Sequence, residues 1–388
     1  MPQARTELPF SRSEYDERIA KVRAGMASDG LDVLLVYWPE NIYYLTGYDS
    51  LGYFNYQLLV VPASGEPFMV VRRLERQNAL QITWLSSCEV YQDWEDPAET
   101  TAAALRNRGL DKGRLGVELD AWFLTTRNYL KLADALGADR LVDASQLVNR
   151  IRLVKSPREI EYIRAAARTV EAAAAAAIGA LRVGATENDS AAALYAAEIS
   201  AGSEYTGHAS LISSGPRSAR SFATWSGRRI EAGDPISLEP GGSVRRYHAS
   251  LIRTLSMGKP RDETIVRMAE ASLAGLEAGL AAIKPGVTPD EVDRITKEPG
   301  QRAGFGQYQV SRSGYSIGIG FPPDWGEGRT LGMRAGEHAV LQPNMTFHFM
   351  NIIWYEGVTS VGFSETIRVT ESGCEPLTNF RRELIVVD

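Results

Sequence analysis

Hydrophobic positions in the first part of the chain alternate between a helical and a strand period. Behind the capping box Ser11-x-x-Glu14, apolar residues at positions 15, 19, 22 and 26 recur on one face of a helix. Short apolar runs predict strands, and a helix is expected after Leu124. The predicted strands are 33–36, 58–61, 67–71 and 115–119, with a hairpin joining the second to the third. Alternating strands and helices predict a layered α/β domain over residues 1–155.

The pattern changes at Ser156-Pro157-x-Glu159, which opens a long helical stretch. We therefore place a domain boundary there, with a second domain over 156–388. Further helices are predicted at 186–200, 262–283 and 289–303, and strands at 236–239, 247–255, 346–353 and 361–370. Helices grouped against runs of strand predict an α+β fold, an antiparallel sheet covered on one face.

Composition narrows the range of partners. The chain has 42 Lys and Arg and 48 Asp and Glu residues, which gives a net charge of −6. This charge argues against nucleic-acid binding, which needs a basic surface. Cys88 and Cys374 have no Cys or His neighbour at zinc spacing, and they are too few for a disulfide framework. No apolar run reaches the ~20 residues that cross a bilayer. We expect a protein with no membrane partner in a reduced, cytoplasmic setting.

Histidine is the natural acid or base near neutral pH, and the chain has four. His338 lies in a polar turn and is expected at the surface. His208 begins an apolar strand, so it is either a loop residue or part of a functional site. His248 and His348 lie inside predicted strands, where a lone His is usually structural, but strands that also carry carboxylates make both of them candidate catalytic residues.

Carboxylates on apolar strands are the second class of candidate. Glu239 and Glu365 each interrupt such a strand, and a buried carboxylate is costly unless it is paired or used. An ion pair with Arg253 or Arg368 is the structural alternative. Asp324 belongs to Phe321-Pro-Pro-Asp-Trp-Gly-Glu327, read as a rigid loop that lines a site or as a simple Asx turn. Phosphate-loop, nucleophile-elbow and His-Glu-x-x-His motifs are absent from the sequence.

Taken together, several segments resemble the creatinase/prolidase/methionine aminopeptidase superfamily, whose catalytic domain has the pita-bread fold. They occur in the same order over nearly the whole chain. They include Asn41-Ile-Tyr-Tyr-Leu-Thr-Gly47, Gly116-Val-Glu118, Lys155-Ser-Pro-Arg-Glu159, Gly314–Gly318 and Glu365–Thr370. The resemblance implies a creatinase-like α/β domain followed by a pita-bread domain.

Peptidases of this superfamily bind two metal ions through two Asp, one His and two Glu. The matching positions here are Glu239, Ser250, Tyr315, Met350 and Ser364. Glu365 follows the last of them, and it replaces that ligand only if a bulge shifts the strand register. Too few ligands remain for a divalent ion, so we expect no metal and no other cofactor.

The chain resembles the metal-free branch of the superfamily more than the metal-dependent peptidases. This branch includes creatinase and ectoine hydrolase, and the chain is more similar to ectoine hydrolase. Both cleave a non-peptide C–N bond in a small compound. The segments that carry it are Arg246-Tyr-His248, Pro322-Pro-Asp-Trp-Gly-Glu327 and Met345-Thr-Phe-His-Phe-Met350. A His of that branch is replaced by Phe222, and His208 is a candidate substitute. The partner-subunit Arg of creatinase aligns near Tyr53 and Asn55.

The resulting hypothesis is a hydrolase acting on a cyclic amidine or a related small zwitterion or cation. Glu239 and Glu365 would balance the substrate's charge, and Tyr247, Tyr315 and Trp325 would offer aromatic faces. His348, oriented by a carboxylate, would shuttle protons, with His248 also catalytic, and covalent attack by Glu239 is an alternative. An inactive binding module and a metallopeptidase with a rearranged site remain rivals. The resemblance also implies a homodimer.

Overall fold

The computed structural model describes residues 8–327 and 329–388. The chain forms two compact units, Met1–Arg152 and Leu153–Asp388. The boundary predicted from the sequence, between 155 and 156, falls just after this division.

The first unit is a layered α/β domain. Its six-stranded sheet has the order β4-β3-β2-β1-β5-β6, in which β1 pairs antiparallel with β2 and parallel with β5. The elements are α1 (Arg12–Asp29), β1 (Val33–Val36), α2 (Pro39–Thr46), β2 (Leu58–Pro62), β3 (Phe68–Arg72), α3 (Arg76–Gln81), β4 (Cys88–Tyr91), α4 (Pro97–Asn107), β5 (Leu115–Val117), α5 (Thr126–Leu136), β6 (Leu141–Asp143) and α6 (Leu147–Arg152).

Local chemistry explains how these elements begin and end. The Ser11 side chain accepts a hydrogen bond from the backbone of Glu14, so α1 begins where the capping pattern predicts. Helix α1 ends at Gly30, whose φ of 66° lies in the left-handed region that glycine tolerates. The buried carboxyl of Glu118 accepts hydrogen bonds from the backbone of Tyr37 and Trp38 just ahead of α2. The motif residue Glu118 is therefore a structural cap.

Two residues predicted to bind substrate belong to this first unit. Tyr53 is buried and its ring packs edge-on against Phe123, with the centroids 4.9 Å apart. The side chain of Asn55 donates to the carbonyl of Gly52 at 3.3 Å. Both contacts are local, and a role for Tyr53 and Asn55 at a substrate stays a prediction.

The second unit combines long helices with antiparallel sheets. One sheet has the order β17-β16-β15-β12-β10-β9, with β13 and β14 also paired to β12, and a four-stranded sheet has the order β18-β11-β8-β7. The elements are α7 (Pro157–Gly179), α8 (Glu187–Ser200), β7 (Leu211–Ser214), β8 (Pro235–Glu239), β9 (Gly241–Val244), β10 (Tyr247–Ser250), β11 (Arg253–Met257), α9 (Glu263–Ala282), α10 (Pro289–Arg302), β12 (Gly314–Phe321), β13 (Asp324–Gly326), β14 (Gly332–Met333), β15 (Thr346–Tyr355), β16 (Thr359–Val369), β17 (Cys374–Pro376) and β18 (Ile385–Val387).

One face of the long β15–β16 pair is apolar and the other is polar. Phe347, Phe349, Phe363 and Ile367 belong to the buried core that includes residues of α9. Because side chains alternate along a strand, the residues between them point to the opposite face. This arrangement confirms the predicted fold class, an α/β domain followed by an antiparallel sheet covered by helices.

The strand predicted over 247–255 is two strands in two different sheets. Strand β10 ends at Ser250 and β11 begins at Arg253. At the break, the backbone N–H groups of Ser250 and Ile252 donate to the hydroxyls of Thr366 and Ser364 on β16. Side chains of a third strand replace the missing ladder partners, which is a feature of packing that the apolar pattern does not reveal.

Glu365 holds the two sheets of this unit together. Its carboxyl accepts from the Arg253 guanidinium of β11 at 2.7 Å and from Arg382 at 2.8 Å, and it also accepts from Thr378. Both Arg253 and Glu365 are fully buried. The alternative, an ion pair with Arg253, describes the environment of Glu365. A catalytic role for Glu365 stays a prediction, which these contacts do not favour.

No helix of residues 8–327 and 329–388 combines the length and apolar content that a membrane crossing requires.

We expect the substitution Glu365→Gln to lower the free energy of unfolding by about 3 kcal/mol or more, because it leaves a buried Arg253 without its counter-charge. Urea unfolding followed by circular dichroism measures this. The control is Glu371→Gln, at an exposed position just after the end of β16, which should change stability by less than about 0.5 kcal/mol. Equal stability of the two variants would contradict the assignment.

Candidate functional site

Four strands bring the candidate residues to one polar face. Tyr315 of β12 lies directly opposite His348 of β15, and Ser364 of β16 lies opposite Met350. Glu239 is the last residue of β8. Because the β15–β16 register is regular from Thr346 to Tyr355, no bulge moves Glu365 to this face. The polar face therefore holds Ser364 in place of Glu365.

A chain of hydrogen bonds runs through this face. The backbone N–H of Ile252 donates to Ser364 Oγ at 2.6 Å, and Ser364 Oγ is 2.6 Å from His348 Nε2. On the other side of the ring, His348 Nδ1 lies 2.9 Å from the Tyr315 hydroxyl. Trp325 donates its indole N–H to the same hydroxyl at 2.9 Å. Both nitrogens of His348 and the oxygen of Tyr315 are therefore fixed in place.

Burial keeps this chain electrically neutral. Loss of solvent, followed by the positive potential of His208 and Arg312, lowers the pKa of His348 to about 3. Burial and the nearby Glu239 raise the pKa of Tyr315 well above its ordinary value. His348 is thus a neutral imidazole and Tyr315 a neutral phenol across the physiological range.

Glu239 is the group on this face that titrates near neutral pH. Its side chain is 17% exposed, and its Oε1 lies 4.0 Å from His348 Nδ1, beyond hydrogen-bond reach. Among the described residues, no hydrogen bond to the carboxyl is found, and loss of solvent raises its pKa to about 7. The structure thus brings Glu239 and His348 together, but the carboxylate does not orient the imidazole as we predicted.

Trp325 is buried, although the sequence suggested an exposed residue in a loop. It lies on the short strand β13, and its ring stacks on His208 with the centroids 3.4 Å apart. A Cβ at Gly241 would lie 2.2 Å from the Trp325 ring, so only glycine leaves room for it. Phe222 is 76% exposed and packs edge-on against His208, with the centroids 6.4 Å apart. His208, Phe222 and Trp325 therefore form one aromatic cluster.

His248 and Tyr247 are both occupied by structural contacts. His248 accepts the Gly207 N–H at Nε2 and bonds the Arg246 carbonyl through Nδ1, both at 2.9 Å, so neither nitrogen is left for catalysis. Tyr247 is fully buried, where it donates to Glu159 at 2.7 Å and stacks on Tyr162 of α7. The predicted roles of His248 in catalysis and Tyr247 in substrate binding are therefore not supported.

The Asp324 carboxylate accepts the Gly326 N–H at 3.1 Å, which is the Asx turn considered as the alternative.

Two neighbours of the candidate residues were not predicted. Ser364 was noted only as the residue at a position where the resemblance places a metal ligand. The signal available was the two-residue alternation of the strand, which puts Ser364 on the same face as Thr366. The Arg312 guanidinium lies 4.7 Å from the centre of the Tyr315 ring, a contact that no local pattern signals.

The donor set does not fit a pair of divalent metal ions. Among the described residues, no three or more His, Cys, Asp or Glu side chains form a group that would hold a metal ion. The Ser250 hydroxyl donates to the Pro240 carbonyl, and Ser364 is held by Ile252 and His348. Met350 offers only a thioether, which suits soft ions. Glu239 is then the one carboxylate among the five aligned positions.

Comparison with known proteins matches this architecture over its full length. The profile of the creatinase/prolidase N-terminal domain matches residues 18–154, and that of metallopeptidase family M24 matches 161–371. An ectoine hydrolase of Halomonas elongata is 34% identical over 397 residues, covering 98% of each chain. A probable dipeptidase PepE of Mycobacterium tuberculosis is 29% identical over 383 residues, covering 97% of this chain and 98% of its own.

Among solved structures, the dipeptidase PepE from Mycobacterium ulcerans has a TM-score of 0.84 at 26% identity, covering 97% of this chain and 99% of its own. The fold is thus that of a two-domain creatinase/prolidase-type protein with a pita-bread second domain. The chain belongs to metallopeptidase family M24, as the sequence motifs predicted. These matches support the class of hydrolase, and the bond that it cleaves is taken up below.

The raised pKa of Glu239 leads to a prediction about stability. The folded protein holds this proton more tightly than the unfolded chain does. The free energy of unfolding of the parent therefore falls as pH rises from 4.5 to about 7, where the buried carboxyl has to ionise. The variant Glu239→Gln should therefore gain about 2–3 kcal/mol relative to the parent between pH 4.5 and pH 8. Urea unfolding at both pH values measures the difference.

The matched control is Glu270→Gln on the exposed face of α9, which should follow the parent at both pH values. Parallel curves for Glu239→Gln and the parent would show that Glu239 titrates normally.

Proposed function

We propose that the protein is a metal-independent hydrolase that cleaves a non-peptide C–N bond in a small cationic or zwitterionic compound. The observation that carries the proposal is Glu239, a carboxyl with a pKa of about 7 that faces the neutral pair of His348 and Tyr315. A base with a pKa near the working pH is the most effective proton acceptor for such a reaction. The 34% identical relative is named an ectoine hydrolase, which supports this class of bond.

Glu239 acts as the general base on water. The ionised carboxylate takes a proton from a water molecule, whose oxygen bonds to the amidinium carbon while the C=N electron pair moves to nitrogen, which gives a neutral tetrahedral adduct. Glu239 then gives the proton to the nitrogen of the C–N bond that breaks. As this bond breaks, the hydroxyl oxygen of the adduct becomes the carbonyl oxygen, and its proton passes to the released amine, which becomes an ammonium. One water is consumed, a cyclic amidinium opens to a product with one amide and one ammonium group, and Glu239 is again ionised.

Tyr315 supplies the oriented hydrogen-bond donor. We assign the imidazole proton to Nδ1, which donates to Tyr315, so that Nε2 accepts the hydroxyl proton of Ser364, whose oxygen accepts from Ile252. The hydroxyl of Tyr315 also accepts from Trp325. With two donors on its oxygen, its O–H points away from both, toward the substrate. His348 is in this scheme a positioning residue rather than a proton shuttle.

A metal-dependent dipeptidase is the second candidate function. It is favoured by the 29% identity to a protein named a probable dipeptidase. Against it stand Ser250, Met350 and Ser364 at positions where the resemblance places metal ligands. The two candidates differ in their need for metal, which is directly measurable.

Protein freed of metal with a chelator should hydrolyse ectoine, or another small cyclic amidine, at the rate of untreated protein. Product amine is quantified by chromatography, and residual metal by mass spectrometry. The dipeptidase alternative predicts instead that chelation abolishes activity, that Mn²⁺ or Co²⁺ restores it, and that Xaa-Pro dipeptides are the substrates. Failure of both forms to turn over ectoine, creatine and cyclic amidines would refute the proposed class of bond.

The variant Glu239→Gln should lower kcat by about 10²–10⁴, because the proton acceptor is lost while the shape of the site is kept. In the parent, kcat/KM should rise with pH through about 7, as Glu239 ionises, and then level off. The measurement is a pH–rate profile with the substrate found above.

Tyr315→Phe and Tyr247→Phe form a matched pair of tyrosines on neighbouring strands. The first should lower kcat, whereas the second should lower stability through the lost bond to Glu159 and leave kcat unchanged.

Activity of Glu239→Gln equal to that of the parent would remove Glu239 from the mechanism.

A further inference from the structure

Three segments of the second unit that are far apart in the sequence meet around Arg246. The buried Arg246 guanidinium donates to the carbonyl of Tyr205 at 2.7 Å and to the carbonyl of Gly320 at 3.0 Å. It also lies over the ring of Tyr205, 3.7 Å from the centroid. Arg246 therefore fastens the segment that follows α8 to the end of β12.

His248 of β10 extends this connection. Its Nε2 lies 2.9 Å from the backbone nitrogen of Gly207, and its Nδ1 lies 2.9 Å from the carbonyl oxygen of Arg246. A backbone N–H can only donate and a backbone carbonyl can only accept, so the proton of the neutral ring is on Nδ1. Burial, followed by the charge of Arg246, lowers the pKa of His248 well below its ordinary value, which keeps the ring neutral. His248 thus holds the backbone of Gly207 without carrying a charge.

Gly207 lies against the backbone of the strand that carries Trp325. A Cβ at Gly207 would come within 2.7 Å of the Trp325 backbone nitrogen and still closer to the carbonyl of Asp324. The next residue, His208, stacks on the Trp325 ring with the centroids 3.4 Å apart. Because the gap has no room for a side chain, the hydrogen bond between Gly207 and His248 also fixes where the rings of His208 and Trp325 lie.

The indole of Trp325 connects this arrangement to the candidate site. Its N–H donates to the Tyr315 hydroxyl at 2.9 Å, and the same hydroxyl lies 2.9 Å from His348 Nδ1. A hydrogen bond weakens steeply when the donor turns away from the acceptor. A small movement of the indole would therefore change the direction in which the Tyr315 O–H points.

We propose that His248 is a positioning residue, which directs the indole N–H of Trp325 to the hydroxyl of Tyr315 by holding Gly207 against the Trp325 backbone. His248 acts through Gly207 and Trp325, so it is not a catalytic residue. Its effect on turnover rests on the function proposed above. Its effect on the hydrogen bond between Trp325 and Tyr315 does not.

Two amide substitutions separate the two hydrogen bonds of His248. In His248→Gln, the side-chain oxygen reaches the place of Nε2 and still accepts from Gly207. In His248→Asn, the shorter amide reaches only the place of Nδ1, so the contact with Gly207 is lost. His248→Asn should lower kcat roughly tenfold or more and change KM by less than about threefold. His248→Gln should keep kcat within about threefold of the parent.

Nuclear magnetic resonance of protein with isotope-labelled tryptophan observes the bond between Trp325 and Tyr315 directly. The chain has seven tryptophans, and the indole N–H signal that Trp325→Phe removes belongs to Trp325. His248→Asn should shift this signal in the same direction as Tyr315→Phe does, because both changes weaken the same hydrogen bond. His248→Gln should leave the signal in place.

The matched control is Tyr247→Phe, at the neighbouring position of β10. Its side chain points to the opposite face of the strand and bonds Glu159, so the variant should lose stability and keep both the Trp325 signal and kcat. An unmoved Trp325 signal in His248→Asn would overturn the proposal. Equal shifts in His248→Asn and His248→Gln would also overturn it, since the contact with Gly207 would then not matter.

The unmodified protein gives a test that does not depend on the folding of a variant. With isotope-labelled histidine at neutral pH, the ring of His248 should carry its proton on Nδ1 and none on Nε2. A proton on Nε2 would overturn the proposal, because Gly207 could not donate to it. If the parent hydrolyses no C–N substrate, the proposed function fails, and the tryptophan signals still decide the role of His248.

Discussion

The regular two-residue alternation of β16 is the constraint on which the rest of the second unit depends. It sends Ser364 to the polar face, where it holds His348, and Glu365 to the other, where it joins Arg253. A single bulge would exchange these faces and place a carboxylate beside His348. The unbroken register therefore has two consequences. A buried ion pair joins the two sheets, and the polar face has few side chains that could bind a metal ion.

Neutrality is the second feature of this face. A chain of fixed donors and acceptors passes from the Ile252 backbone to Tyr315 without a formal charge, because burial suppresses protonation of His348. Glu239 borders that chain, and burial raises the pKa of its carboxyl to about 7. In the proposed function, this single carboxylate next to oriented N–H and O–H groups carries the acid–base chemistry.

Sequence reasoning was strongest where a motif and a local physical signal agreed. The capping pattern at Ser156 fixed the start of α7, and the family motifs anticipated both domains. It selected Glu239, His348 and Tyr315, which the fold brings to one face. It did not decide between a paired and a free Glu365, because a carboxylate in an apolar strand gives the same sequence pattern in both cases.

The sequence by itself determined the order of elements and the two-domain family, since these depend on local periodicity and on residue identity. Only the tertiary structure decided which polar residues have partners. His248 and Tyr247 are occupied by the Gly207 backbone and Glu159, whereas the Glu239 carboxyl has no such contact in the described chain. Those partners are distant in sequence, and the pKa of a buried group is set by its surroundings in space rather than by its neighbours along the chain.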